Sequence, residues 1–352
     1  MEIYGRMKNI NGTGIGAMFT STGSVWHSKR KAVSPAFSSN QIKRMNMLAV
    51  QKVESWIHER LAAANVEDVC FDVGIEMIDI VLSAICKSAF DYEMPRWERD
   101  YLRIELEHAL KEFARQGVNI FRAKFSWFIP SRQRALQAGK NLHLLCLKIM
   151  DEYRKQENKA TGTVIQLIME SHEAFPTCDD KAAQLLEFIV RDEQSKLRKS
   201  LQQLNPDTWN NSKELEWAIK EGMRLNPVAS AGSIRKIGRN ITTRDGFTIP
   251  KGSTCFLPFM LLFRNPEVFP EPDSFIPSRW ENATREQLEA FQPFSLGKQN
   301  CVGQSLARAE TTSIIARIIS EFELSVDESS SISSEFFLTL KPVNAILRAR
   351  KI

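Results

Sequence analysis

Along the first two-thirds of the chain apolar residues recur at three- and four-residue spacing, most clearly at Met45, Leu48, Val53, Trp56, Ile57 and Leu61. That period puts them on one face of a helix. It predicts helices over about 42–64, 71–90, 97–114, 132–153, 163–171, 181–190, 193–204 and 215–225. Between Ser230 and Pro258 the texture changes, with Gly232, Gly238, Gly246, Gly252 and Pro250 separating short β-branched pieces at 241–243 and 247–249. These are the marks of a small antiparallel sheet. The proline-rich stretch from Pro266 to Pro277 cannot be regular helix. Helical spacing returns over 303–322, and the tail from Glu323 to Ile352 alternates like hairpin strands.

Composition narrows the classes. At roughly 150 residues per domain, 352 residues allow two domains or one large one. Apolar residues at 43% and charged residues at 25% exclude disordered, collagen-like and disulfide-scaffold chains. The net charge of +5 is spread without a dense basic block, which argues against a nucleic-acid partner. Six scattered cysteines without a Cys-x-x-Cys pair suit small buried hydrophobes in a reducing compartment rather than zinc ligands. The longest apolar run, Cys255 to Phe263, is broken by Pro258 and is too short to span a bilayer. Met1 to Gly12 has no apolar core of a signal or anchor.

One cysteine stands apart. In Phe294-Ser-Leu-Gly297-Lys-Gln-Asn-Cys301-Val-Gly303 it ends a loop that opens directly into the predicted helix at 303–322. Free N–H donors and the helix dipole stabilise a thiolate at such a place, which suits a metal ligand. Gly297 permits the turn, and Gly303 lets backbone approach a large flat ligand. Taken alone, the same pattern marks a core cysteine more often than a metal ligand. Upstream, Glu221 and Arg224 fall one turn apart on a helix face, where a solvated ion pair and a buried one share the same spacing.

Together these segments resemble the cytochrome P450 family. The loop matches that family's haem-ligating pattern, Phe-x-x-Gly-x-x-x-Cys-x-Gly, at every fixed position, and Glu221-Gly-Met-Arg224 matches its Glu-x-x-Arg motif. Pro272-Asp-Ser-Phe275-Ile-Pro277-Ser-Arg279-Trp280 resembles the loop that brings a second arginine to the glutamate. Trp26-His-Ser-Lys-Arg30, followed by Ser34-Pro-Ala-Phe37, resembles the family's Trp-x-x-x-Arg helix. Outside the resemblance, Trp26 and Arg30 at this spacing read as surface packing, and Arg235 equally as a charged strand residue facing water.

The resemblance implies a mainly α fold with small β sheets, the haem-thiolate fold in incomplete form, as one domain over 1–352. Within it 26–225 is helix-rich, 230–258 is β-rich, 291–322 holds the haem-ligand loop and following helix, and 323–352 forms the C-terminal strands. It implies haem b (iron protoporphyrin IX), with Cys301 as the axial ligand to iron and Phe294, Gly297 and Gly303 shaping the loop. Trp26, Arg30 and Arg235 would hold propionates, and Glu221, Arg224 and Arg279 would form a structural triad that locks the loop. Gln299 departs from the family's usual Arg or His, so a charge-assisted hydrogen bond to a propionate is lost there. The implied reaction is a monooxygenation inserting one atom of O2 into an apolar small-molecule substrate. Electrons would come from a separate reductase, since no flavin or nicotinamide fingerprint occurs.

The resemblance also exposes a gap. Family members carry an Ala/Gly-Gly-x-Asp/Glu-Thr pattern on a long helix across the haem face. Here 181–190 resembles the start of that helix and Arg191 to Arg198 the start of the next. The oxygen-activating segment is therefore expected to be absent between Val190 and Arg191, and no catalytic residue is identified. Ala309-Glu310-Thr311-Thr312, the nearest substitute, lies beyond Cys301 and lacks the glycine. Met1 to Val25 resembles the loop ahead of the Trp-x-x-x-Arg helix, so the family's N-terminal region is expected to have no counterpart. Losing a central helix would remove burial worth more than the roughly 5–15 kcal/mol by which domains are stable. An incomplete gene product or splice form and a genuinely shortened haem protein both fit. The function readings are a monooxygenase, a haem-thiolate isomerase or dehydratase that rearranges a peroxide, and a non-catalytic haem-binding form. The family's N-terminal anchor would imply the endoplasmic reticulum membrane surface. Peripheral membrane contact through Phe121 to Phe128 is open, although that aromatic cluster suits packing between helices better.

Overall fold

The computed structural model describes residues 16–18, 20–61, 68–118, 122, 126–195, 212–243, 245–336 and 340–352. In chain order it runs α1 (Gly23–Val33), a 3-10 turn (Ser34–Phe37), α2 (Ser39–Arg60), β1 (Val69–Asp72), α3 (Val73–Phe90), α4 (Arg96–Val118) and α5 (Pro130–Lys155). Then follow α6 (Val164–Glu170), α7 (Cys178–Ser195), α8 (Ser212–Leu225), β2 (Ser233–Lys236), β3 (Ile241–Thr242), β4 (Thr248–Ile249), β5 (Thr254–Leu257) and α9 (Phe259–Leu262). A 3-10 turn (Pro277–Trp280), α10 (Arg285–Ala290), α11 (Gln304–Ile319), β6 (Phe322–Val326), β7 (Ser333–Phe336), β8 (Leu340–Val343) and β9 (Ile346–Lys351) complete it. The expectation of a mainly helical protein with small antiparallel sheets holds.

α3 is apolar on nearly every side, and Met77, Ile80, Val81, Leu82, Ile85 and Cys86 are all buried. A helix of that kind belongs in the interior, and α2, α4, α6 and α7 surround it. Each such side chain contributes about 1.5–3 kcal/mol by leaving water. The helix begins two residues later than its periodicity predicts, because Phe71 and Asp72 pair with Leu347 and Ile346 of β9. Asp72 then caps it by accepting from the Ile75 N–H at 3.0 Å. A partner so distant in sequence leaves no trace in local spacing.

β9 is the central strand of the sheet β1-β9-β6, antiparallel to both neighbours. Phe71, Leu347, Ala349 and Phe322 turn inward to the main core. The predicted sheet between 230 and 258 is two separate ribbons, β2 with β5 and β3 with β4. Gly232 sets the first: its φ is +74°, and a Cβ there would lie 1.8 Å from the Leu257 carbonyl oxygen. Only glycine lets β2 start so close to β5. α11 ends at Ile319, and Phe322, predicted as helix, opens β6.

α4 lies along α5 with Leu102, Leu106, Ala109 and Leu110 buried. Glu98, Glu105 and Glu112 are buried, while Trp97 is 66% exposed and Tyr101 and Ile104 also face out. Each glutamate meets one cation: Lys148 at 2.6 Å, Arg134 at 2.7 Å and Arg122 at 2.7 Å. Trp127 and Phe128 touch edge to face but are exposed, so they are not packed between helices as expected. Phe121 and Phe125 lie outside the described residues. Among the described residues no helix is long and apolar enough to cross a membrane.

Candidate cofactor and metal site

The site is built behind a second, smaller core of Phe259, Phe263, Phe269, Trp280 and Phe291. Beside it Glu221 is fully buried and receives five donors. Arg224 approaches fork to fork, Nε to Oε2 at 3.0 Å and Nη2 to Oε1 at 2.9 Å. Arg279 Nε donates to Oε1 at 2.9 Å, the Ile276 N–H to Oε1 at 3.0 Å and the Trp280 indole to Oε2 at 2.9 Å. Arg224 spends its other donors on the carbonyls of Phe263, Pro272 and Ser274, and Arg279 bonds those of Pro270 and Glu271. A carboxylate out of water needs that many partners. The predicted triad is thus one buried centre.

Trp280 connects this centre to the cysteine. Its ring lies 4.7 Å from that of Phe291, which opens the loop through Gln292. The loop then closes on itself: the Ser295 N–H donates to Gln292, the Asn300 N–H to Gly297 and the Cys301 N–H to the Phe294 carbonyl at 2.9 Å. Gly297 has φ +78° with open space around it, so its glycine serves the turn itself.

Two predicted cations grip the loop at opposite ends. Arg30 of α1 donates from Nη1 to the Asn300 carbonyl at 2.8 Å and from Nη2 to the Asn300 side chain at 3.1 Å. Arg235 of β2 donates from Nη2 to Ser295 Oγ at 2.7 Å. Trp26 is half-buried against the main core, and among the described residues its ring contacts do not reach the loop. Gln299 is exposed. The signals for Asn300, Ser295 and Trp280 as partners were weak, since each is an ordinary residue of a turn or an aromatic cluster.

These residues fit a haem held by a thiolate. A Cβ added at Gly303 would stand at ordinary contact distance, 4.0 Å from Cys301 Sγ and 3.9 Å from the Phe37 ring. The glycine adds no side chain beside the sulfur that a flat ligand would meet. Arg30 and Arg235 supply two guanidinium groups beside it, matching the two carboxylates of protoporphyrin. On the far side Phe188 of α7 stacks on Phe37 at 5.9 Å. α7 passes through Val190 and Arg191 as one helix to Ser195, so Arg191 does not start a new helix. The rest of the helix predicted over 193–204 lies outside the described residues.

Comparison with known proteins bears on the same features. The family model described as Cytochrome P450 matches residues 5–190 and 189–348, two stretches that meet where the gap was expected. The chain is 23% identical over 392 residues to probable cytochrome P450 4p3 of Drosophila melanogaster, covering 94% of this chain and 74% of that protein. That alignment is longer than the chain, so the relative carries internal residues with no counterpart here. The taurochenodeoxycholic 6 alpha-hydroxylase of Sus scrofa is 35% identical over 168 residues, 45% of this chain and 33% of that one. A crystal structure of a cytochrome P450 (CYP102L1) superposes with a TM-score of 0.75 at 18% identity, covering all of this chain and 84% of that one. That likeness shows the fold.

Proposed function

The chain belongs to the cytochrome P450 family of haem-iron monooxygenases, and we propose that it holds haem b through Cys301 to oxygenate an apolar organic substrate with electrons from a separate reductase. The observation that carries this reading is the gathering of Arg30, Arg235 and Cys301 onto one loop backed by the Glu221 centre. When bound, the haem iron supplies the place where O2 is reduced and one oxygen atom passes to substrate while the other leaves as water.

The chain's own residues have distinct parts. Cys301 Sγ provides the anionic ligand, and its N–H bond to Phe294 holds the sulfur in the loop. Arg30 and Arg235 hold the propionates, and Trp26 adds a donor on the α1 side. Gly303 leaves the ligand plane open, and exposed Gln299 offers a neutral amide at the rim. Glu221, Arg224 and Arg279 keep the loop in register with α8. A small organic substrate is favoured by the likeness to the taurochenodeoxycholic 6 alpha-hydroxylase. Exposed Trp127 and Phe128 suit a peripheral seat on a membrane surface, that of the endoplasmic reticulum in this reading.

The broken family match supports a missing proton-delivering segment at Val190 and Arg191. It favours one second reading, rearrangement of a peroxide, which needs neither that segment nor a reductase. The carbon monoxide spectrum of the reduced, haem-loaded chain tests the first claim. A strongly red-shifted Soret band is expected and should vanish in Cys301→Ala; a chain without that band has no thiolate-held haem. Turnover of an organic hydroperoxide without reductase selects the second reading, and reductase-dependent hydroxylation of taurochenodeoxycholate selects the first.

A further inference from the structure

Arg308 has no part in the motifs above. It is the fifth residue of α11, just past the first turn of the helix. Its Nε is buried with no hydrogen-bond partner among the described residues. What it meets is the ring of Phe294, with the guanidinium carbon 5.5 Å from the ring centre. The carbonyl of that same Phe294 accepts the Cys301 N–H at 2.9 Å.

We propose that Arg308 is a positioning residue of the Cys301 site: stacked on Phe294, it fixes the segment that holds the ligand cysteine and sets the haem potential through it. The inference rests on Cys301 being the haem ligand. A guanidinium over a partly desolvated aromatic face is a favourable cation–π pair. Because the cation is one residue beyond Ala307, whose N–H bonds Gly303, it ties the start of α11 back onto the loop it follows. Its positive charge also favours the added electron on reduction, as charge near a haem sets its potential.

Potentiometric titration of the haem-loaded full chain tests this in wild type, Arg308→Leu, Phe294→Leu and the double variant. Arg308→Leu should move the midpoint to more negative values and speed haem transfer to an apo-globin acceptor. In the Phe294→Leu background the same substitution should shift the midpoint clearly less, since the two act as one pair. An unchanged midpoint in Arg308→Leu, or an equal shift in both backgrounds, overturns the proposal. Should Arg308→Leu fail to fold, Arg308→Lys keeps the charge but not the flat face, and the same comparison with Phe294→Leu decides. Loss of the thiolate band already in wild type would instead refute the ligand assignment, and this inference with it.

Discussion

Glu221 and the row Glu98, Glu105 and Glu112 on α4 are all carboxylates taken out of water, yet their partners differ in number, burial and origin. Glu221 gathers donors from α8, from the turn at Pro277–Trp280 and from the backbone ahead of it, and the Arg224 and Arg279 side chains are 0% and 8% exposed. On α4 each glutamate pairs, among the described residues, with a cation from α5 or the connection before it, and the Arg134 and Lys148 side chains are 38% and 45% exposed. Water competes with the second kind of pair and hardly touches the first. Fully enclosed, a charge commits several segments to one geometry; half-enclosed at seven-residue intervals, it fixes how one helix slides along another. The enclosed centre stands behind the loop that carries Cys301.

The largest effect should follow from Glu221→Ala, which leaves two buried guanidinium groups without their carboxylate. Removing one partner of a buried ion pair costs about 3–5 kcal/mol, a large share of the roughly 5–15 kcal/mol a domain has. Haem content per chain and the urea midpoint should both collapse. If Glu105→Ala lowers haem content as far, the distinction between the two regions is wrong. A smaller, sharper cut is Trp280→Phe, which keeps a ring against Phe291 and Phe269 but deletes one of the five donors. A lost hydrogen bond to a buried charge is worth about 1.5–3 kcal/mol. Haem should still bind, with a faster off-rate measured by transfer to an acceptor globin.

What could be read in advance follows the same division. Glu221 and Arg224 sit one turn apart, and Arg279 lies in a proline-rich segment of fixed shape, so short-range spacing and motif were enough to join them. Cys301 and its glycines are contiguous, so the loop they form was legible for the same reason. The role of Trp280 was hidden because a tryptophan beside an arginine reads as packing, while here its indole N–H is a donor to Glu221. Arg30 and Asn300 meet across 270 positions, and no local pattern encodes that contact. On α4 the helix was legible and its orientation was not. Beside the buried Leu102, Leu106 and Ala109 the paired glutamates take part of the inner face, while Trp97, Tyr101 and Ile104 face out.

The smallest effect belongs to Glu105→Gln, and it comes with a pH signature. Bonds from both Arg134 nitrogens, and the positive charge behind them, hold the Glu105 carboxyl below the ordinary carboxylate range. A carboxyl depressed in the folded state stabilises fully above the unfolded value near about 4.3. That contribution shrinks as pH falls below the unfolded value and is gone once the folded carboxyl is protonated. Arg134 is more than a third exposed, so the pair is worth about 1 kcal/mol or less at neutral pH. Urea melts of wild type and Glu105→Gln should therefore differ slightly at pH 7 and converge towards pH 3, with the haem spectrum of the variant unchanged. A gap that stays constant on acidification would mean that the glutamate acts through packing and not through its charge, and the α4 row would then have to be understood as steric rather than electrostatic.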